Sequence, residues 1–190
     1  SQVIYDLKQV NPGVRVCVKL VGITGIGAIA VGCAKAGCDV ILVCGNAGGT
    51  GAANWSSIKH AGEEWETALA ETHQTLVEQG WRNTVILRVD GGLRTARDVV
   101  IAAMLGADEF GFGSLSLMAA GCIMARRCHK PGKEGCPVGV ATQDPEQAAK
   151  YKGSPEQIMA MFTQLTEAIR EVMAELGVRR FDELVGNSRL

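Results

Sequence analysis

The sequence predicts an α/β fold of the (β/α)8 TIM-barrel type, with this chain supplying about four β/α units followed by a cysteine loop and C-terminal helices. Three observations predict it. Short apolar runs rich in β-branched residues alternate with stretches of helical periodicity, which is the pattern of a parallel sheet with helices outside it. Two of those runs are apolar on one face and charged on the other, which favours a barrel lumen over a doubly wound sheet buried on both sides. Glycine clusters close the runs, where barrel enzymes keep their functional loops.

The elements follow in order. A strand is expected over 14–21, with Val16, Val18 and Leu20 turned to helices and Arg15, Cys17 and Lys19 on the opposite face. A helix over 27–36 leads to a strand over 40–44 and a long glycine-rich loop. Next come a helix over 63–79 and a strand over 84–89, the latter splitting Val85, Leu87 and Val89 from Ile86, Arg88 and Asp90. Arg15 and Arg88 also fit a strand edge facing solvent. A helix over 95–105, a strand over 109–112 and a helix over 115–126 complete the fourth unit. Beyond Gln143, Asp144-Pro145 opens one helix and Ser154-Pro155-Glu156 another, with Ser154 as N-cap and Pro155 at the first helical position. The second helix, over 156–176, aligns Ile158, Met161, Leu165, Ile169, Val172 and Leu176 on one face, a stripe suited to core packing. The expected division is 1–121 for the half-barrel, 122–143 for the cysteine loop and 144–190 for a helical segment packing on the barrel.

Composition bounds the function. With 190 residues, 47% of them hydrophobic, and a net charge of −1, the chain can bury one sizeable core. No basic stripe with interleaved aromatics points to nucleic acid, and no apolar run reaches the length of a membrane span. Seven cysteines, an odd number, without a secretory signal fit a reducing cytoplasm or organelle interior such as a plastid.

Three of the cysteines, Cys122, Cys128 and Cys136, share one Gly/Pro-containing loop. Soft thiolates at one point select zinc, Cu(I) or iron–sulfur chemistry. Tetrahedral zinc would need a fourth ligand from His129 or a distant cysteine; a three-iron cluster needs none. The plainer alternative is buried, inert thiols. Cys17, Cys33, Cys38 and Cys44 lie in apolar patterns and read as core. Two glycine-rich strand ends, Asp90-Gly91-Gly92 and Gly111-Phe112-Gly113-Ser114, suit phosphate, because a Cβ would block close approach to backbone N–H groups. His60 is the histidine best placed to touch a substrate, and His73 reads as a packing residue.

Ordered blocks then carry a resemblance along nearly the whole chain. Lys19-Leu20-Val21, Gly48-Gly49-Thr50-Gly51-Ala52, Ser56-Ser57-Ile58-Lys59-His60-Ala61-Gly62, Leu69-Ala70-Glu71-Thr72-His73-Gln74, Asp90-Gly91, Gly106-Ala107-Asp108-Glu109-Phe110-Gly111-Phe112 and Cys136-Pro137-Val138-Gly139-Val140-Ala141-Thr142-Gln143 resemble, in order, the FMN-binding synthase domain of glutamate synthase. The resemblance implies the second half of a (β/α)8 barrel that carries FMN and a 3Fe-4S cluster and reductively adds ammonia to 2-oxoglutarate. It further implies Lys19 as a catalytic residue near flavin and substrate, and Gly91, Gly92, Gly113 and Ser114 on the FMN phosphate. Asp90 would lie near the ribityl chain or help fix its glycine loop, and Gly48, Gly49, Thr50 and Gly51, with His60, would form the substrate loop. Cys122, Cys128 and Cys136 become cluster ligands. The implied partners are the remaining half-barrel, a glutaminase domain or subunit that releases ammonia, and an electron donor, either ferredoxin or a pyridine-nucleotide-linked subunit.

The chain departs from the family pattern in three places. Asn46-Ala47 stand where the family commonly has His-Asp, which leaves open a related enzyme using another amine or acid. The interval from Cys128 to Cys136 is longer than usual, a change that loop entropy tolerates. No candidate is present for the first four barrel units or for a glutaminase cysteine. A non-catalytic cluster-bearing module is the other class of function, and a half-barrel with open sheet edges is expected to self-associate.

Overall fold

Parallel strands in chain order form the core of the computed structural model, which describes residues 1–49 and 53–190. The sheet runs β1 (Cys17–Val21), β2 (Val40–Cys44), β3 (Ile86–Asp90) and β4 (Glu109–Phe110). Its register sets Lys19 beside Leu42, Leu42 beside Arg88, and Cys44 beside Asp90. Helices α2 (Ile26–Lys35), α4 (Trp65–Glu78) and α5 (Ala96–Met104) form the crossovers that successive parallel strands require. TIM-barrel architecture of this kind was the expectation from alternation and strand faces.

The core lies on the helix side of the sheet. Ile41, Val43, Leu87 and Val89 are fully buried against Ile26 and Ala30 of α2 and Leu69 and Leu76 of α4. Removing four such side chains from water contributes about 1.5–3 kcal/mol each, which is why the two central strands fix the sheet. A second cluster joins Val100 and Ala103 of α5 to Met173 of α8 (Pro155–Glu175) and to Leu184. Ring edges extend it, with Phe110 on Phe181 at 5.7 Å and Phe112 on Phe162 at 5.6 Å. The apolar stripe of α8 is therefore half-buried on the sheet's last β/α unit. Ser154 caps α8 with a reciprocal bond from Gln157, and Pro155 occupies its first turn, as the sequence predicted.

Several boundaries differ for local reasons. β1 begins at Cys17 rather than at residue 14, because the Asp39 carboxylate takes the Val16 N–H at 2.6 Å before the ladder starts. β4 is two residues long: Gly111 N still donates to Val89 O at 2.8 Å, but β3 ends at Asp90 and Gly91 turns away with φ 85°, so the ladder goes no further. The helix expected to reach 126 stops as α6 (Ser114–Ala119). There Gly121, at φ 91°, donates to Met118 O while Cys122 N donates to Leu117 O, a glycine-stopped helix end. Three further helices are α1 (Gln2–Val10), α3 (Trp55–His60) and α7 (Pro145–Ala148). Of these, Asp144-Pro145 had marked α7. His60 thus ends a short helix instead of lying in a loop. Cys17 is also exposed rather than core, since it faces the open side of the sheet; Cys38 and Cys44 are buried as expected. No helix among the described residues is long and apolar enough to cross a membrane.

Candidate functional site

The register that places Cys44 beside Asp90 makes the loops after β2 and β3 leave the sheet together. Gly45 N donates to Asp90 O at 3.0 Å, and a Cβ on Gly91 would stand 2.8 Å from Gly45 N. Two backbones therefore pack directly on each other. This contact floors a cavity of about 540 Å³ at the carboxyl ends of the strands, within the usual range for small-molecule sites. Lys19 enters from β1, Gly48 and Gly49 from the loop after β2, and Asp90, Gly91 and Gly92 from the loop after β3. Gly111, Gly113 and Ser114 follow β4, and Cys122, Met124, Arg126 and Cys128 complete the wall.

Lys19 Nζ donates to Asp90 Oδ2 at 2.9 Å. That hydrogen bond raises the lysine pKa, with burial opposing it, so Lys19 stays a fixed cation with half its side chain open to the cavity. Beside the pair, burial and then Asp90 push the Cys44 thiol up to about 11. Cys44 is a neutral filler at neutral pH, over which Gly48 closes; a Cβ there would lie 2.2 Å from Cys44 Sγ. Asp90 Oδ1 is buried without a hydrogen-bond partner among the described residues. A ligand hydroxyl would satisfy it. At Gly113, as at Gly49, a Cβ would meet no protein atom within 4 Å, but only Gly113 of the two has a negative φ, −91°.

Lys19, Gly48, Gly49, Asp90, Gly91, Gly92, Gly113 and Ser114 all line one cavity. Thr50 and Gly51 lie outside the described residues. His60 is exposed and does not line the cavity, whereas Ile58 of the same helix does. Cys122 and Cys128 reach the wall; Cys136 is buried and does not line the cavity. No three of the described His, Cys, Asp or Glu side chains converge closely enough to hold a metal ion. The donor chemistry nonetheless fits a thiolate-bound group. Burial works against charge on Cys136, yet N–H groups of Ala141, Val138, Val140 and Gly139 outweigh it and lower the thiol pKa. Cys44 and Arg126 were missed by sequence reasoning. Strand register could have marked Cys44, but nothing local marks Arg126.

Together, the strand order and glycine-lined mouth define part of a TIM-barrel domain with its cavity at the carboxyl ends of the strands. A flavocytochrome b2 variant with benzoylformate shares the fold at a TM-score of 0.61 and 19% identity, over 96% of this chain and 37% of that one. The recombinant flavin-binding domain of baker's yeast flavocytochrome b2 does so at 0.56 and 19%, over 95% and 36%. A profile of the conserved region in glutamate synthase matches residues 1–179. The chain is 54% identical over all its 190 residues to the NADPH glutamate synthase large chain of Azospirillum brasilense, covering 12% of that relative. It is 52% identical over 186 residues (98% of this chain) to the ferredoxin-dependent glutamate synthase of Antithamnion sp., covering 12% of it. It is 52% identical over 188 residues (99% of this chain) to the NADH glutamate synthase of Schizosaccharomyces pombe, covering 9% of it. The chain belongs to the glutamate synthase family.

Proposed function

We propose that this chain forms the phosphate-binding half of a synthase barrel in a glutamate synthase-type oxidoreductase, which makes L-glutamate from 2-oxoglutarate and ammonia released from glutamine. The observation that carries the reading is the cavity in which a Lys19–Asp90 pair stands between two glycine cradles. FMN fits it. Backbone N–H groups at Gly91, Gly92, Gly113 and Ser114 would take the phosphate, the space beside Gly113 is free of protein atoms within 4 Å, and the orphaned Asp90 Oδ1 would accept a ribityl hydroxyl. When bound, FMN supplies the hydride.

The chain's own residues bind and orient. Ammonia and the keto group of 2-oxoglutarate form an imine with loss of water, and two electrons and two protons convert that imine to glutamate. Lys19, protonated and pinned by Asp90, holds a substrate carboxylate and compensates negative charge developing beside it. Cys44, with its raised pKa, stays uncharged and excludes water beneath the pair. Cys122, Cys128 and Cys136 are the proposed ligands of a 3Fe-4S cluster, which would supply one-electron chemistry, with ferredoxin or a pyridine-nucleotide-linked subunit as the proposed electron donor. Relatives named for each kind of donor support both options. The remaining barrel strands and a glutaminase domain or subunit are the other proposed partners, in a cytoplasmic or plastid setting. One relative, from spinach, is named as chloroplastic. Ala47 favours a second reading with a different amine or acid, because it lines the cavity without a polar group.

The test is the visible spectrum of protein purified without oxygen, before and after dithionite. Flavin bands over a broad brown shoulder, both bleaching, are expected. A colourless protein from the complete polypeptide would overturn the reading, and iron unchanged in Cys128→Ser would overturn that ligand assignment.

A further inference from the structure

We propose that Arg126 and Trp55 form a clamp that fastens the cysteine loop to the segment closing the cavity, so that thiols and cavity ligand are held as one unit. The clamp rests on the reading of the cavity as a cofactor site, without depending on which cofactor fills it. Arg126 lies between Cys122 and Cys128 and is half-buried where its neighbours from Ile123 to Ala125 are exposed. Its guanidinium stands 4.9 Å from the centre of the Trp55 ring, and Nη2 donates to Ala53 O at 2.8 Å. Two chemically different contacts thus meet in one side chain, on partners more than seventy residues away in sequence. A planar guanidinium can stack and donate in-plane together, which an ammonium cannot.

Both ends of the clamp reach the cavity. Arg126 itself lines it, and Trp55 opens α3, which contributes Ile58 to the same wall. The loop needs such an anchor. Met124 and Arg126 have φ of 55° and 54°, a left-handed backbone that non-glycine residues keep only where surrounding contacts impose it. Trp55 in turn is 63% exposed, with the guanidinium standing over its ring. Arg126 and Trp55 are therefore positioning residues: neither is placed on the reacting atoms, and each acts through the loop it fixes.

The experiment is amide hydrogen exchange on the complete, cofactor-loaded enzyme, with flavin release measured in parallel. Arg126→Ala should speed exchange across residues 53–60, and Trp55→Leu should speed it across 122–128. Trp55→Leu removes the cation–π contact alone and should give about two- to fivefold, whereas Arg126→Ala also removes the hydrogen bond and should give about tenfold or more. The double variant should be no faster than Arg126→Ala, which already removes both contacts. Arg126→Lys should fall between wild type and Arg126→Ala at both segments, and exchange in β2 and β3 should not change in any variant. Effects confined to the substituted segment, additive effects in the double variant, or wild-type exchange in Arg126→Lys at both segments would each overturn the clamp. If Arg126→Ala unfolds the sheet, the Lys variant decides alone. Flavin release should accelerate with exchange in both single variants. A wild-type enzyme holding no flavin sinks the functional reading instead, while exchange still decides the clamp.

Discussion

Gly91 and Gly113 both line the cavity, yet they are glycine for different reasons, and substitution separates them. At Gly91 the backbone has φ 85°, and a Cβ would stand 2.8 Å from Gly45 N and 2.9 Å from Gly45 O. Gly91→Ala therefore forces two loops apart and adds left-handed strain, a loss of about 2–4 kcal/mol visible as a lower urea midpoint. At Gly113 φ is −91° and a Cβ meets nothing within 4 Å. Gly113→Val should leave the urea midpoint unchanged and weaken flavin retention by about tenfold or more, because the added atoms enter space the ligand needs. Iron content should not move. Should the midpoint of Gly113→Val fall as far as that of Gly91→Ala, the open space is not a ligand's.

At the scale of elements, the end of the sheet away from the cavity is tied by one arginine. Arg82 Nε donates to His73 Nδ1 of α4 at 3.1 Å, and its Nη2 reaches both Gly106 O and Asp108 Oδ2 at 2.8 Å. Burial first, and Arg82 second, lower the His73 pKa from 6.5, with Asp108 opposing. The unfolded chain therefore binds a proton that the folded one resists. Stability from neutral His73 is complete above 6.5 and declines as pH falls toward the lowered folded value. Urea midpoints at about pH 7.5 and pH 5.5 should differ more for wild type than for His73→Gln, which keeps an acceptor for Arg82 without titrating. Equal differences would mean that His73 carries none of the slope. This knot also shows what a sequence can and cannot disclose. β2, α2, α4, α5 and α8 were legible because burial on one face writes a period of two or 3.6 into the residues. The end of α6 was not, because Gly121 stops the helix within a run that still reads as helical. The glycines that close β3 and β4 were legible, as strand ends announce them. Cys44 depends on strand register, and Arg126 on a contact across the chain, so neither leaves a local pattern.

For the whole molecule, the open sheet is the deciding feature. Among the described residues β1 pairs with β2 alone and β4 with β3 alone, while Cys17, Lys19 and Val21 project from β1 into the open. The chain spans 9–12% of the length of the relatives it matches, all at about half identity. In a closed barrel this face becomes the lumen and β1 gains a second neighbour. The isolated 190-residue chain should self-associate through those edges, and Cys17 reports closure directly. Thiol reagents attack the thiolate. Burial pushes Cys38 and Cys44 up to about 11 and raises Cys33, so these three react slowly in any context. Exposed Cys17 should be alkylated quickly in the isolated chain and at least about tenfold more slowly in the complete polypeptide, read by peptide mapping. Equal rates in the two would mean that no strand closes on β1, and that the half-barrel works as an open sheet.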